Sequence, residues 1–226
     1  MATFGLITEG PTDYIVIQNI LYGYFNTFDI VINKLHPEEL KDASNKHRVE
    51  NDAGWYAVFD YCQRIEFKQS FQSNDYMIIQ IDTDVSEEKH YDVPKMENSL
   101  ELSPEQLIEK VIGKFKYLIG EEFYTKYRNK IIFAISVHST ECWLLPLYYT
   151  DNKKSKTKNC LNTLNQALRK REKFTIDAKN PEYYESISKK YWKNKVLMQH
   201  YQENPSLKVF IEEVEKRKIV IDEDDF

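Results

Sequence analysis

Glycine, proline and cysteine are all scarce here, at six, seven and three in 226 residues. So little glycine and proline excludes a collagen-like or low-complexity linker chain. The cysteines Cys62, Cys142 and Cys160 are odd in number, widely spaced and form no CxxC pair. Neither a disulfide framework nor a structural zinc site is therefore expected, and the reducing cytoplasm is the expected compartment. No apolar run approaches the roughly 20 residues of a membrane helix. The first apolar stretch is broken by Thr8, Glu9 and Gly10, so no signal peptide is expected. A P-loop is also missing, which excludes a self-contained P-loop ATPase.

What is present is enough to build a core. Hydrophobic residues make up 42% and aromatic residues 14% of the chain, which excludes a disordered protein. The net charge of −5 matters less than its distribution. From Asp151 to Lys173 there are eight Lys/Arg against two acids, and the tail Asp222–Asp225 is wholly acidic. The basic residues Lys153, Lys154, Lys156, Lys158, Arg169, Lys170, Arg171 and Lys173 either track a phosphate backbone or form a solvated face.

The periodicity predicts strands at Thr3–Thr8, Asp29–Leu35, Tyr76–Ile81 and Ile131–Val137. Helical spacing starts at Thr12 and recurs over Gly54–Phe67, from Ser103, and over Thr140–Tyr149. Ser103 followed by Pro104 and Gln106 marks a capped helix start. Residues 36–52 and Thr83–Leu102 are polar and predicted as loops. Beyond residue 150, helices are predicted at Leu161–Arg171, Glu182–Tyr201 and Ser206–Lys216, with a short strand at Lys218–Ile221. Apolar strands alternating with helices predict an α/β fold, with a parallel four-stranded sheet covered on both faces. The expected division is a catalytic domain over 1–150 and a helical C-terminal extension over 151–226.

Ligands of open parallel sheets bind beyond the carboxyl ends of the strands. Acids follow three of the predicted strands there: Glu9, then Asp82 and Asp84, then Glu141. Carboxylates gathered at one sheet edge repel one another unless a cation neutralises them. Hard oxygens without thiolates suit Mg²⁺ or Mn²⁺ rather than zinc. His138, beside these acids, is expected to support a ligand rather than to be one.

The run Leu6-Ile7-Thr8-Glu9-Gly10-Pro11-Thr12-Asp13, with Ile78-Ile79-Gln80-Ile81-Asp82-Thr83-Asp84, resembles a Toprim domain. It is most similar to the OLD-type and RloB-like Toprim nucleases of prokaryotic phage defence. Ser139-Thr140-Glu141 and Glu141-Cys142-Trp143-Leu144-Leu145 match further motifs of those proteins. The resemblance implies a Rossmann-like Toprim sheet and two-metal cleavage of phosphodiesters in DNA or RNA, tRNA included. It implies Glu9, Asp13, Asp82, Asp84, Ser139 and Glu141 as metal-site residues, with two Mg²⁺ or Mn²⁺ ions. Lys189 or Lys190 matches the family's active-site lysine, although Tyr191 follows where proline is common. A separate ATPase acting in trans is a further implication.

Two alternatives stay open. Ile78–Val85 also resembles the nucleophile strand of haloacid-dehalogenase phosphatases, with Asp82 as nucleophile. A catalytically silent Toprim-like binding module is the other. The aromatics Tyr183, Tyr184, Tyr191 and Trp192 are expected in the core rather than as base-stacking platforms.

Overall fold

A computed structural model describes residues 2–37, 54–176 and 180–221. The first strand, β1 (Thr3–Ile7), leads into α1 (Pro11–Phe25), whose first turn holds Pro11 and Asp13. The chain then enters β2 (Val31–His36), which pairs parallel to β1. Most of the loop expected over 36–52 lies outside the described residues, as does the acidic tail.

The single helix expected over Gly54–Phe67 is two, α2 (Trp55–Gln63) and α3 (Ile65–Gln69). Arg64 breaks them with an extended backbone (ψ 160°), and its side chain folds back on Asp60. The break reorients the apolar residues. Ile65, within the span predicted as one helix, is 60% exposed, while Phe67 and Phe71 are buried.

The strand β3 (Tyr76–Asp82) follows, parallel to β1. The expected loop over Thr83–Leu102 contains a short antiparallel hairpin, β4 (Met96–Glu97) and β5 (Leu100–Glu101). Such two-residue strands are too short to leave a periodic signal. Ser103 caps α4 (Pro104–Ile119) through a full capping box with Gln106. A further helix that periodicity did not single out, α5 (Glu121–Tyr127), precedes β6 (Ile131–Ser136), which pairs parallel to β3.

The sheet order is β2-β1-β3-β6. From β1 the chain moves outward to β2 on one side and then crosses to β3 on the other. The switch point therefore falls between β1 and β3, where ligand crevices of open α/β sheets form.

Side chains alternate between two cores, as a pleated strand requires. Phe4, Leu6, Ile78, Ile132 and Ala134 face one cluster with α1 and the C-terminal helices. Ile7, Met77, Ile79, Ile81, Phe133 and Ile135 face the other, with α2 and α4. The sheet is thus covered on both faces.

After β6 come the short α6 (Glu141–Leu144), where a longer helix to Tyr149 was expected, and a 3₁₀ turn at Leu145–Leu147 that contains Pro146. Then follow α7 (Cys160–Arg171), α8 (Pro181–Ser188), α9 (Asn194–His200) and α10 (Pro205–Lys216). The continuous helix expected over Glu182–Tyr201 is interrupted by a 3₁₀ turn at Lys189–Trp192. Packing explains the interruption. Tyr191 is fully buried and presses its backbone against Gly23 of α1, where an added Cβ would lie 1.8 Å from the Tyr191 carbonyl oxygen. Lys218–Ile221 forms no strand. The chain ends its described course beside the opposite edge of the sheet, where Arg217 donates to the Ile131 carbonyl at 2.7 Å.

The cysteine expectation is corrected. Cys142 and Cys160 form a disulfide across 18 positions of sequence. Distance along the chain concealed their proximity, because the stretch between them doubles back and both side chains join the α1-side core. Only Cys62 is a free thiol, and it is buried. Cysteine usage therefore gives no support for a reducing compartment. Among the described residues, no helix is long and apolar enough to cross a membrane.

Candidate metal centre at the sheet switch point

The carboxyl ends of β1, β3 and β6 are stitched together by one buried side chain, Gln80. Gln80 points to the same face as Asp82, two residues on. Its Oε1 accepts from the Glu9 amide at 3.0 Å. Its Nε2 donates to Asp82 Oδ1 at 2.9 Å and to Thr140 Oγ1 at 3.3 Å. Glu9 completes the circuit, its Oε1 accepting from the Asp82 amide at 2.6 Å. Thr140 donates in turn to Asp82 Oδ1 at 3.2 Å. A glutamine with no exposed surface sits in an otherwise apolar strand because each end of its amide finds a partner.

Two tyrosine hydroxyls define the extent of the acid cluster. Tyr91 donates to the Asp82 carbonyl at 2.9 Å. Burial first, then the charges of Glu9, Asp82 and Asp84, hold its pKa well above the usual tyrosine value. Tyr184, from α8, donates to Glu141 Oε1. Burial first, then Glu141, Asp13 and Asp82, pushes its pKa up in the same way. Asp82 lies within the field of both hydroxyls. Glu9 and the Asp82 backbone are joined directly by the hydrogen bond to the Asp82 amide, and Tyr184 ties Glu141 to α8.

Asp13, Asp82 and Glu141 are buried, at 3%, 7% and 9% exposure, while Glu9 is half-buried and Asp84 exposed. Such a gradient suits a crevice with an open mouth. Ser139 is half-buried, and its carbonyl accepts from the Cys142 amide at 3.0 Å, starting the turn that carries Glu141.

The turn between β6 and Glu141 is held in an unusual backbone state. His138 has φ +64°, a left-handed conformation that costs a non-glycine residue about 1–2 kcal/mol. Three hydrogen bonds over-determine it. Its amide donates to Thr83 Oγ1 at 2.9 Å, and its carbonyl accepts from the Thr83 and Asp84 amides at 2.9 and 3.1 Å. The loops after β3 and β6 are thereby locked together. Burial first, then Lys95, keeps the His138 pKa below the usual histidine value.

The donor set is hard oxygen throughout, carboxylates and hydroxyls without thiolate, as Mg²⁺ or Mn²⁺ prefers. Among the described residues, no group of three or more His, Cys, Asp or Glu side chains stands ready to hold a metal ion. Glu9 Oε1, Asp82 Oδ1 and Glu141 Oε1 each accept from protein donors. Those donors are a backbone amide and neutral side chains, whose interaction with a carboxylate is weaker than that of a cation.

The lysines stand elsewhere. Lys190 Nζ bonds Glu172 Oε1 at 2.7 Å and the Tyr148 hydroxyl at 2.9 Å, and lies over the Tyr148 ring. Burial alone would lower the Lys190 pKa, but these two partners outweigh it and hold it above the usual value. None of the acids is among its partners. Lys189 is exposed on the same 3₁₀ turn. In the basic stretch, Lys154 pairs with Glu203 at 2.9 Å, Lys156 donates to Thr163 at 3.0 Å, Lys158 pairs with Glu101 and Lys153 lies over Tyr149. These residues form several small contacts rather than one uniform basic stripe, and Arg169 is exposed on α7. Tyr184 and Tyr191 are buried, as expected of core residues, whereas Tyr183 is 38% exposed.

Gln80, Thr140, Tyr91 and Tyr184 are the site residues that sequence reasoning missed. The one available signal was Gln80, a lone amide in the apolar run Tyr76–Ile81.

The buried tyrosines make a signed pH prediction. In the unfolded chain a tyrosine ionises near 10. In the folded chain Tyr91, Tyr184 and Tyr191 stay neutral beyond that, Tyr191 through burial above all. A raised folded pKa contributes stability below pH 10 that is lost as pH rises further. Urea denaturation between pH 9 and 11 is expected to show that loss. Tyr184→Phe is expected to reduce its slope by about 0.7 kcal/mol per pH unit averaged over that range, approaching about 1.4 at its upper end. An unchanged slope would show that Tyr184 ionises normally.

No protein-family model, no curated protein and no solved structure matches the chain.

Proposed function

We propose that the chain is a Toprim-type nuclease, cleaving nucleic-acid phosphodiesters with Mg²⁺ or Mn²⁺ held by the acids at the switch point. The observation that supports this is the hydrogen-bonded circuit in which Gln80 and the Glu9 carboxylate tie the carboxyl ends of β1 and β3 together at Asp82, with Thr140, next to Glu141, joined to it. Structural acids are seldom concentrated this way, since each like charge raises the cost of the next. Glu9, Asp13 and Asp82 would hold one ion, and Asp84 and Glu141, with Ser139, a second. Two such ions supply charge stabilisation to the attacking and leaving oxygens of an in-line displacement. Gln80 and Thr140 keep the Asp82 carboxylate oriented. Tyr184 does the same for Glu141, and Tyr91 holds the Asp82 backbone carbonyl.

Lys190, or else Lys189, remains the proposed charge-stabilising lysine by family resemblance, although Lys190 is bonded to Glu172. Resemblance also supports DNA or RNA as substrate, a separate ATPase in trans, and a role in defence against phage.

The first test is direct. Supercoiled DNA and total tRNA are incubated with Mg²⁺, Mn²⁺ or EDTA and resolved on gels. Cleavage of at least one substrate with metal, and of neither with EDTA, is the expected result. Both substrates left intact with Mg²⁺ and with Mn²⁺ would sink the proposal. Metal binding is tested separately by melting. An ion at 100 times its Kd stabilises by about 2.7 kcal/mol, which raises Tm by about 5 °C in a chain of this size.

A silent binding module is favoured by one observation, that protein donors already occupy oxygens of Glu9, Asp82 and Glu141. That reading expects no rise of Tm with either metal.

A further inference from the structure

A second concavity, of about 440 Å³, opens beside the acids. Its floor is apolar, with Leu107 and Val137 both 5% exposed, and its rim carries Lys95, His138, Lys158 and Glu101. It shares a wall with the candidate metal centre. Lys95 Nζ donates to the Asp84 carbonyl, and the His138 carbonyl accepts from the Asp84 amide at 3.1 Å.

The lining arises from three separate parts of the chain. Lys95 begins the β4–β5 hairpin, His138 occupies the left-handed turn after β6, and Lys158 precedes α7. The turn cost of His138 is met by three hydrogen bonds, and its outcome is that the imidazole faces this cavity. Strain that a fold maintains with dedicated partners tends to mark functional positions.

Two ammonium groups over an apolar floor, with a ring at the edge, match the chemistry of one nucleotide: base on the floor, phosphate on the cations. A bare metal ion does not suit lysines, and a purely apolar ligand does not suit the rim. Glu101 opposes a phosphate, but its carboxylate already pairs with Lys158. The lysines and Glu101 together still net one positive charge.

We propose that this cavity is a nucleotide subsite. It seats the residue next to the phosphodiester presented to the acids, with Lys95 and Lys158 on its phosphate. The choice of a nucleic-acid occupant rests on the nuclease proposal.

Binding is measured by anisotropy with fluorescein-labelled thymidine and uridine hexamers, on the intact protein, in EDTA, across a series of KCl concentrations. Releasing one cation per lost contact, Lys158→Ala is expected to lower the salt slope by about 0.7 and affinity at 0.1 M salt about fivefold. Glu101→Gln frees Lys158 and removes the opposing charge, so it is expected to tighten binding by a similar factor. Lys208→Ala, which breaks a pair with Glu212 on α10, is the control and is expected to change neither. A tighter Glu101→Gln is an outcome that mere damage to the fold does not produce.

Unchanged affinity and slope in both Lys158→Ala and Glu101→Gln would overturn the subsite, as would an equal loss in Lys208→Ala, which would indicate overall charge. Absence of hexamer binding by the unaltered protein would overturn it as well. Cleavage of the same hexamers on adding Mg²⁺ is scored independently. Cleavage with unaffected binding variants removes the subsite and leaves the nuclease proposal standing. Cavity-dependent binding without cleavage under any metal does the reverse.

Discussion

Asp82→Asn is expected to lower metal-dependent cleavage by about 10³-fold while the protein folds normally. The amide preserves what the fold needs. Asparagine keeps one acceptor oxygen, which takes over the hydrogen bonds from Gln80 Nε2 and Thr140 Oγ1. What it loses is the negative charge at the centre of the cluster, felt by both Tyr91 and Tyr184. Glu9→Gln follows the same logic, retaining an acceptor for the Asp82 amide and losing the charge. The two variants are expected to be comparably inactive, because two-metal hydrolysis has no covalent aspartyl intermediate. A phosphatase with Asp82 as nucleophile predicts otherwise. Hydrolysis of p-nitrophenyl phosphate that survives Glu9→Gln and vanishes in Asp82→Asn would move the assignment to that class. Single-turnover cleavage at fixed Mg²⁺, with circular dichroism as the folding check, decides the point.

Gly23→Ala is expected to destabilise the fold by about 3 kcal/mol, at the upper end of overpacking costs. Helix propensity alone predicts the opposite sign, since Gly23 lies inside α1 and alanine is favoured there by about 1 kcal/mol. The contact decides. A Cβ at this position would lie 1.8 Å from the Tyr191 carbonyl oxygen and 2.9 Å from its carbonyl carbon. Both are backbone atoms, so no rotamer change relieves them. The 3₁₀ turn would have to lift from α1, straining the Asn19–Ser188 hydrogen bond at 2.6 Å and that from Trp192 Nε1 to Asn19 at 2.5 Å. Urea midpoints compare the two proteins directly. A variant as stable as the original would mean that the turn yields without cost.

The α/β class, the parallel sheet and its four strands were legible because β1, β3 and β6 are short apolar runs with acids just beyond them. The capped start of α4 was legible because Ser103, Pro104 and Gln106 are local signals. Interruptions were not. Arg64 splits a helix whose periodicity runs on through Ile65, and the Lys189–Trp192 turn splits another because Gly23 admits a backbone. The second depends on a partner distant in sequence. The same holds for the site. Glu9, Asp82, Asp84 and Glu141 announce themselves by position after strands, whereas Tyr91 and Tyr184 reach the cluster from segments with no local mark of it. Lys190 shows the limit from the other side. Its spacing from Glu141 suits the family lysine, yet Glu172 and Tyr148 hold it in the state described.

The boundary near residue 150 separates two compositions, but the core ignores it. Trp143 stacks on Phe210 with ring centroids 5.5 Å apart, and its indole donates to Ser206 at 2.8 Å. Tyr191 donates to the Trp143 carbonyl at 2.6 Å, and Tyr184 reaches back to Glu141. A fragment expressed as residues 1–150 would contain all five acids in order. It would also leave Trp143, Leu144 and Tyr148 uncovered, an apolar patch that promotes association between copies. For anyone shortening this chain to isolate its chemistry, the smallest useful piece has to run through α10.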